Sequence, residues 1–273
     1  MSKIIRVFPT RTNLTPIDNL SYSGRNSMPD MFCNADEVHI SVLFTWDLPK
    51  AEKLEKEWKC IAPVKIGGPA LNTKGFDFEP GKYVKTGATI TSRGCPNKCW
   101  FCSVWKREGN IIRELPIKAG HNILDDNILA TSKKHFDNVC EMLKKQKKQI
   151  EFTGGLEANI LTRYHIEKIR ELKIKQLFFA YDTHDDLEPL IIAGKMFKEV
   201  SFNTNKLRCY VLCGYSKDTF EKAEKRMKQA FAAGFMPMAM LYRDNKGFRN
   251  KEWMKFQRLY SRPAITRRIL TNV

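Results

Sequence analysis

Short apolar runs alternate with segments of helical periodicity from residue 87 onward, and this alternation limits the chain to few architectures. The apolar runs predict six strands, at residues 88–92, 121–124, 149–153, 175–181, 208–213 and 235–241. Amphipathic spacing predicts helices between and after them, at 131–148, 162–172, 187–198, 218–233 and 251–260. Regular strand–helix alternation indicates a parallel sheet covered by helices. We therefore expect an α/β fold whose six strands form an open, partial (β/α)6 barrel.

The first 86 residues carry a separate, smaller α/β pattern. Residues 37–44 predict a strand, 48–58 an amphipathic helix, and 62–66 a second strand that ends at Gly67, Gly68 and Pro69. We expect two parts: a small α/β cap, a reduced Rossmann-like unit, over residues 1–86, and the larger barrel with a basic C-terminal helix or tail over 87–273.

The charge is large and uneven. The chain is 42% hydrophobic and 28% charged, as a folded protein is, and its formal net charge is +17. Residues 1–86 contribute +2 of this charge, with 12 Lys/Arg and 10 Asp/Glu, and residues 87–273 contribute the remaining +15. A basic surface of this size attracts polyanions or anionic substrates. A solvated lysine-rich surface would give the same count, and both interpretations stay open.

Two features of the sequence indicate the compartment. No apolar run approaches the roughly 18 residues of a membrane helix, and the start MSKIIRVFPTRTN lacks the apolar stretch of a secretory signal. We expect a cytoplasmic protein with no membrane partner. The chain has eight cysteines, and in a reducing compartment these are metal ligands or buried thiols more often than disulfides.

Three of these cysteines follow the first strand of the larger part. Cys95, Cys99 and Cys102 have the spacing C-x3-C-x2-C, so one short loop supplies three thiolates. Three thiolates can ligate a [4Fe–4S] cluster and leave one iron open to another ligand. A structural zinc knuckle is the alternative; it needs four ligands, and His121 is a candidate for the fourth. The remaining cysteines, among them Cys33, Cys60, Cys140 and Cys209, show no spacing typical of a second cluster.

The segment TSRGCPNKCWFC, in the loop after a barrel's first strand, resembles the radical S-adenosylmethionine (SAM) superfamily. The resemblance covers roughly residues 87–245. It implies that Cys95, Cys99 and Cys102 ligate a [4Fe–4S] cluster and that Phe101 lies against the SAM adenine. It also implies an activity, the reductive cleavage of SAM to methionine and a 5′-deoxyadenosyl radical that takes a hydrogen atom from a substrate.

The other strand ends carry candidate SAM contacts. The resemblance gives Asp125, Asp126 and Asn127 the place of a segment that holds the SAM amino group. The sequence Asp-Asp-Asn at this place resembles the cobalamin-associated branch of the superfamily. A carboxylate suits an ammonium group, whereas Asp and Asn also cap helices. The next strand ends in FTGGLEAN, where Gly154 and Gly155 would let the backbone approach a ligand closely and Glu157 is expected to point into the barrel mouth. A plain turn is the alternative.

Two further strand ends resemble the family more loosely. Asp182 and Thr183 match an acidic–hydroxyl pair near the SAM ribose and carboxylate, and a helix cap is the alternative. Leu212, Cys213 and Gly214 stand where the family contacts adenine. The sequence here, Gly-Tyr-Ser-Lys-Asp-Thr, departs from the Gly-x-Pro-Gly-Glu-Thr that is common in the family.

The N-terminal unit resembles part of the Rossmann-like domain that precedes the barrel in cobalamin-dependent radical SAM enzymes. The cobalt-ligand motif Asp-x-His-x-x-Gly is absent, and His39 lies inside a predicted strand. We therefore expect a cap without a cofactor, with a cobalamin-dependent methyltransferase as the alternative function.

The basic C-terminal tail, residues 249–273, holds seven cations against the single acid Glu252. Trp253, Phe256 and Tyr260 interleave with these cations, a combination that suits phosphate contact with base stacking. The alternative is an amphipathic helix that packs these aromatics on the barrel. The basic charge leads us to expect a polyanionic substrate, a nucleic acid or nucleotide, and an acidic reductase such as flavodoxin or ferredoxin. A zinc- or cluster-stabilised nucleic-acid-binding module without catalysis is the competing class.

Overall fold

The N-terminal unit is built on a four-stranded parallel sheet. The computed structural model describes residues 3–24, 34–75 and 77–271, so Cys33 lies outside the described residues. The elements of this unit are β1 (Ile4–Phe8), β2 (Ser21–Ser23), β3 (Glu37–Ser41), α1 (Leu48–Trp58) and β4 (Val64–Gly67). The strand order is β2–β1–β3–β4. The predicted strand, helix and strand are all present, and β1 and β2 extend the sheet beyond the prediction.

The larger part is built on a six-stranded parallel sheet. Its strands are β5 (Ala88–Thr89), β8 (Asn122–Ile123), β9 (Ile150–Leu156), β10 (Ile174–Tyr181), β11 (Leu207–Cys213) and β12 (Met236–Leu241), and they pair in this order. A short antiparallel pair, β6 (Ser92–Arg93) and β7 (Arg113–Glu114), stands beside it. Neighbours in sequence are therefore neighbours in the sheet, and the predicted α/β fold with a parallel sheet is confirmed.

Helices connect these strands and close the chain. They are α2 (Val104–Arg107), α3 (Lys133–Lys144), α4 (Arg163–Arg170), α5 (Leu187–Glu199), α6 (Phe220–Ala232), α7 (Lys251–Leu259) and α8 (Pro263–Thr271). None of the helices in the described part of the chain has both the length and the hydropathy to cross a membrane.

One face of the larger sheet packs against helices. In β11, the side chains of Leu207, Cys209 and Val211 are fully buried and share one apolar core with residues of α3 to α7. The alternating residues Arg208 and Tyr210 are half-buried and point to the opposite face. The N-terminal unit has its own apolar core between its sheet and α1.

The first predicted strand of the larger part, 88–92, is divided in the structure. Only Ala88–Thr89 joins the large sheet, and Ser92–Arg93 pairs with β7. The division has a local cause. The Thr91 amide and the hydroxyls of Thr91 and Ser92 all bond to the buried carboxylate of Asp125, and these bonds replace pairing with the next strand.

The two parts touch at several places. The Thr45 hydroxyl donates to the carbonyl of Asn245 at 2.7 Å. Gly247 lies so close to Trp46 that an added Cβ would approach its ring to 2.6 Å. The loop after β3 is thereby attached to the loop after β12.

Candidate functional site

The cysteine loop leaves the larger sheet at the carboxyl end of its first strand. The β6–β7 pair closes the base of this loop, and the amide of Cys95 donates to the carbonyl of Gly109 at 3.3 Å. Gly94, just before the first cysteine, has φ of +93°, and a Cβ there would collide with the carbonyl oxygen of Ile111. The turn that presents Cys95 therefore requires glycine.

The three thiols are free and half-buried. Burial raises the pKa of Cys99 to about 11, and the neighbouring Cys102 and Cys95 raise it further. Burial also raises the pKa of Cys95 and of Cys102. Over the described ranges, no three His, Cys, Asp or Glu side chains are gathered so as to hold a single metal ion. The three predicted ligands share one loop, and Cys95 and Cys102 act on the charge of Cys99, but the three side chains are not gathered around one point.

Nitrogen donors approach these sulfurs. The Val104 amide lies 3.5 Å from Cys102 Sγ, and the Asn127 side-chain amide lies 3.7 Å from Cys95 Sγ. Trp105 Nε1 donates to the Cys99 carbonyl at 3.1 Å and so ties the loop to α2. Donors directed at sulfur favour the thiolate and tune a bound metal centre.

Asp125 and Asp126 hold the backbone beside the cysteine loop. The Asp125 carboxylate accepts the Thr91 amide, at 2.7 Å, and the hydroxyls of Thr91 and Ser92, at 2.7 and 2.6 Å. Burial raises the pKa of both acids. Asp126 accepts the Gly94 amide at 2.9 Å, one residue before Cys95. Both oxygens of Asp125 are therefore occupied within the protein.

Asn127 and Glu157 form a polar pair beside Cys95. Asn127 Nδ2 donates to Glu157 Oε2 at 2.6 Å, and the Asn127 Oδ1 atom is buried without a hydrogen-bond partner. The side chain is only 4% exposed. A buried amide oxygen without a donor is costly, and it marks a place where a ligand donor would fit.

The two glycines of β9 differ in their surroundings. At Gly154, an added Cβ would collide with the Asp125 backbone, so glycine permits close packing of β9 on the segment after β8. Gly155 has φ of +101° and open space around its Cα. The close approach predicted for Gly154 is made to protein backbone.

Asp182 and Thr183 follow β10, where Asp186 organises the backbone. The Asp186 carboxylate accepts the amides of Asp182 and Thr183 at 2.9 and 2.7 Å, and the Thr183 hydroxyl at 3.1 Å. Burial, and then the charge of Asp186, raise the pKa of Asp182 to about 7. The backbone of Leu212 offsets part of this rise in the pKa of Asp182. Thr183 thus has the helix-start role considered for it.

Leu212, Cys213 and Gly214 are held by a buried network around Arg226. Arg226 Nη2 donates to the Leu212 carbonyl and to Asp218, both at 2.9 Å, and Asp218 accepts the Gly214 amide at 2.9 Å. Gly214 has φ of +74° and packs against Leu241 and Trp253. Cys213 is fully buried, and burial raises its pKa to about 12.

An aromatic group next to Cys99 was not predicted. Trp100 is 57% exposed, and its ring lies 5.3, 5.5 and 5.5 Å from the rings of Phe101, Tyr215 and Tyr242. Tyr215 follows Gly214, and Tyr242 follows β12, so three loops meet at this group. Tyr242 directly after β12 and Tyr215 two residues after β11 are the signal that could have revealed it.

The aromatics of the C-terminal tail pack inward. Phe256 and Tyr260 are buried in the main apolar core, and Trp253 lies against it with its ring 4.3 Å from that of Phe220. The amphipathic-helix interpretation is confirmed, and these three rings are not available for base stacking. The last two residues of the tail, 272 and 273, lie outside the described residues.

Two other candidate metal ligands are engaged elsewhere. His39 contacts Tyr83 Oη at 2.5 Å through Nδ1 and Glu37 Oε2 at 2.8 Å through Nε2, so both ring nitrogens have protein partners. His121 lies against Gly87, at the opposite end of β5 from the cysteine loop. The geometry therefore groups neither histidine with the three cysteines.

No protein-family model matches the chain, and a search of curated proteins returns no match. Assignment of a function therefore depends on the cysteine loop and the strand ends around it.

Proposed function

We propose that this protein is a radical SAM enzyme, in which Cys95, Cys99 and Cys102 hold a [4Fe–4S] cluster that binds SAM. The observation that carries the proposal is the position of the three thiols. They share one loop at the carboxyl end of the first strand of a six-stranded parallel sheet in chain order. Parallel α/β folds place their chemistry at this end of the strands. We also propose that this sheet curves into a partial barrel.

The residues around the thiols suit such a cluster. Three thiolates bind three irons of a cubane and leave the fourth for another ligand. The amides near Cys95 and Cys102 can stabilise sulfur-centred negative charge. Burial that raises the thiol pKa values means that loading requires proton release. A reducing cytoplasm, where we place the protein, keeps these thiols available.

We assign SAM binding to the residues that border the loop. A bound cluster together with SAM would supply the reductive cleavage of SAM and hydrogen abstraction from a substrate. Among the three residues after β8, Asp125 holds the chain in place through Thr91 and Ser92, so Asn127 and its partner Glu157 are the better contacts for the SAM amino group. Asp182, which follows β10, offers a further carboxylate for SAM, and Phe101 offers an apolar surface for its adenine.

The test is anaerobic reconstitution followed by incubation with SAM and dithionite. We expect about four irons per chain and release of 5′-deoxyadenosine, as a cubane held by three thiolates requires. Cys99→Ala should abolish both. Cys60→Ala is the matched control, because Cys60 is exposed and belongs to the N-terminal unit, and it should retain both. Equal 5′-deoxyadenosine formation by Cys99→Ala and wild type would refute the proposal, and purified protein that holds zinc would favour the binding-module alternative.

For the substrate, we propose a polyanion that carries a nucleobase, either a nucleotide or a single-stranded nucleic acid. The net charge of +15 over residues 87–273 favours phosphate contact. Trp100 exposes a stacking surface at the mouth, and Arg243 stands in the next loop with its guanidinium 5.2 Å from the Trp46 ring. The same positive charge suits an acidic flavodoxin or ferredoxin as the electron donor.

Fluorescence anisotropy with a labelled single-stranded oligonucleotide, with a mononucleotide as competitor, tests the substrate class. We expect affinity to fall on the order of tenfold or more between about 50 and 200 mM salt. Trp100→Ala should bind the oligonucleotide more weakly than wild type does, because stacking contributes about 1–3 kcal/mol per base. Absence of binding at low salt, or affinity that does not change with salt, would exclude this substrate class.

A further inference from the structure

A buried carboxylate connects the cysteine loop to the N-terminal unit. Glu108 directly follows α2, and its side chain is 1% exposed. It accepts the Gly75 amide at 3.2 Å on Oε1 and 3.1 Å on Oε2. Gly75 belongs to the segment after β4, so a residue six positions beyond the third cysteine holds backbone of the other part of the molecule.

Three guanidinium groups surround this carboxylate. Arg107 Nε donates to Glu108 Oε1 at 2.9 Å, Arg113 Nη2 donates to Oε2 at 2.8 Å, and Arg93 Nη1 lies 3.9 Å from Oε1. Arg113 also donates to the Gly75 carbonyl at 3.0 Å, so both backbone groups of Gly75 are bound. A buried carboxylate is tolerated only with such compensation, and its loss would leave three cations without their common partner.

The contacts continue to the first cysteine. Arg107 Nη2 lies 3.8 Å from Asp126 Oδ1, and Asp126 accepts the amide of Gly94. Arg93, which packs on Gly75, precedes Gly94 in the chain. A path of polar contacts thus runs from Gly75 through Glu108, Arg107 and Asp126 to the turn that presents Cys95.

We propose that Glu108 is a positioning residue through which the N-terminal unit holds the cysteine loop in its cluster-binding conformation. Its burial keeps it from touching a substrate, so it acts through Arg107 and Arg113. The inference rests on the proposed function for the identity of the cluster. It predicts that the N-terminal unit is needed to retain the cluster, beyond any role as a cover.

The test compares Glu108→Gln with Glu114→Gln, a control on the same hairpin that bonds to Ser132 instead. The glutamine keeps the size of the side chain and removes the charge that the arginines share. In reconstituted protein, we expect the visible cluster absorbance of Glu108→Gln to decay at least about fivefold faster under a chelator than that of wild type. Iron content should fall in parallel, and Glu114→Gln should behave as wild type does.

Hydrogen exchange on the apoproteins separates this inference from the proposed function, because it needs no cluster. Glu108→Gln should raise exchange both in residues 95–107 and in 69–75. Arg113→Lys retains the charge on a side chain of different length and shape, in place of a guanidinium whose Nη2 bonds to both Gly75 and Glu108, and should raise exchange less. The inference would be overturned if both variants exchanged at the wild-type rate in both segments. Faster exchange confined to residues 95–107 would also overturn it. Failure of wild type to bind a cluster would refute the proposed function alone.

Discussion

The carboxylates at the ends of β8 and β10 differ in how far along the chain their partners lie. Asp125 and Asp126, after β8, accept bonds from residues 32 to 34 positions away, in the segment that leads into the cysteine loop. Asp186, after β10, accepts bonds from backbone amides only three and four positions away. The first pair therefore fixes tertiary structure, whereas Asp186 shapes a local turn. Substitutions on the two sides should differ in size and in what they disturb.

The largest effect is expected for Asp125→Ala. The change removes three hydrogen bonds and leaves the buried amide of Thr91 and the hydroxyls of Thr91 and Ser92 without their acceptor. We expect the free energy of unfolding to fall by about 3 kcal/mol. Urea unfolding of the apoprotein measures it. Asp185→Ala, at an exposed position of the turn after β10, is the control and should change stability by less than about 0.5 kcal/mol. An equal loss of unfolding free energy in the two variants would show that the long-range bonds of Asp125 do not stabilise the fold more than the turn after β10 does.

An effect of intermediate size on stability is expected for Asp182→Asn, and it depends on pH because the Asp182 carboxyl group ionises. The pKa of Asp182 is raised from its ordinary 3.8 to about 7, so the folded protein binds a proton that the unfolded chain has already released. The stability that this proton provides is present below about pH 4 and is lost as the pH rises through 7. Asp182→Asn cannot ionise, so its stability relative to wild type should improve between pH 5 and 8, by on the order of 1–3 kcal/mol. A difference that stays constant over this range would show that Asp182 titrates normally.

The smallest effect is expected for Asp186→Ala. Its partners are amides close to the surface, and water can replace the carboxylate as their acceptor. We expect a loss of about 1 kcal/mol, typical of a helix cap. Hydrogen exchange should increase near residues 182–187 and remain unchanged in the cysteine loop. Faster exchange in residues 95–107 would show that the two sides are coupled.

The same difference explains how much of the molecule was predictable. Amphipathic periodicity located α3 to α7 and the strands β9 to β12, because each buries one regular face. The ends of most elements shifted by one to four residues. β1 and β2 were missed because five and three residues carry little periodicity. The local turn at Asp186 follows from its spacing, since Thr183 and Asp186 have the separation of a capping pair.

The network around the thiols was less accessible. The cysteine spacing singled out three ligands, but nothing in the order of residues pairs Asp125 with Thr91 or Glu108 with Gly75. These pairs exist only because β5 and β8 are adjacent and because the segment after β4 folds back on the loop. Long-range polar pairs of this kind depend on the complete topology.

Among the residues that the structure describes, the final strand of the large sheet, β12, pairs with β11 alone. Along its outer side, the Ala239 amide donates to the Tyr260 carbonyl at 3.2 Å, and Gln257 Nε2 approaches the Ala239 carbonyl at 3.4 Å, so α7 and the turn after it occupy the edge. β12 also contains Pro237, which lacks an amide hydrogen. During translation, this edge emerges before the residues that cover it. The edge of β12 is therefore protected against pairing with a foreign strand only once α7 and the turn after it have packed on it.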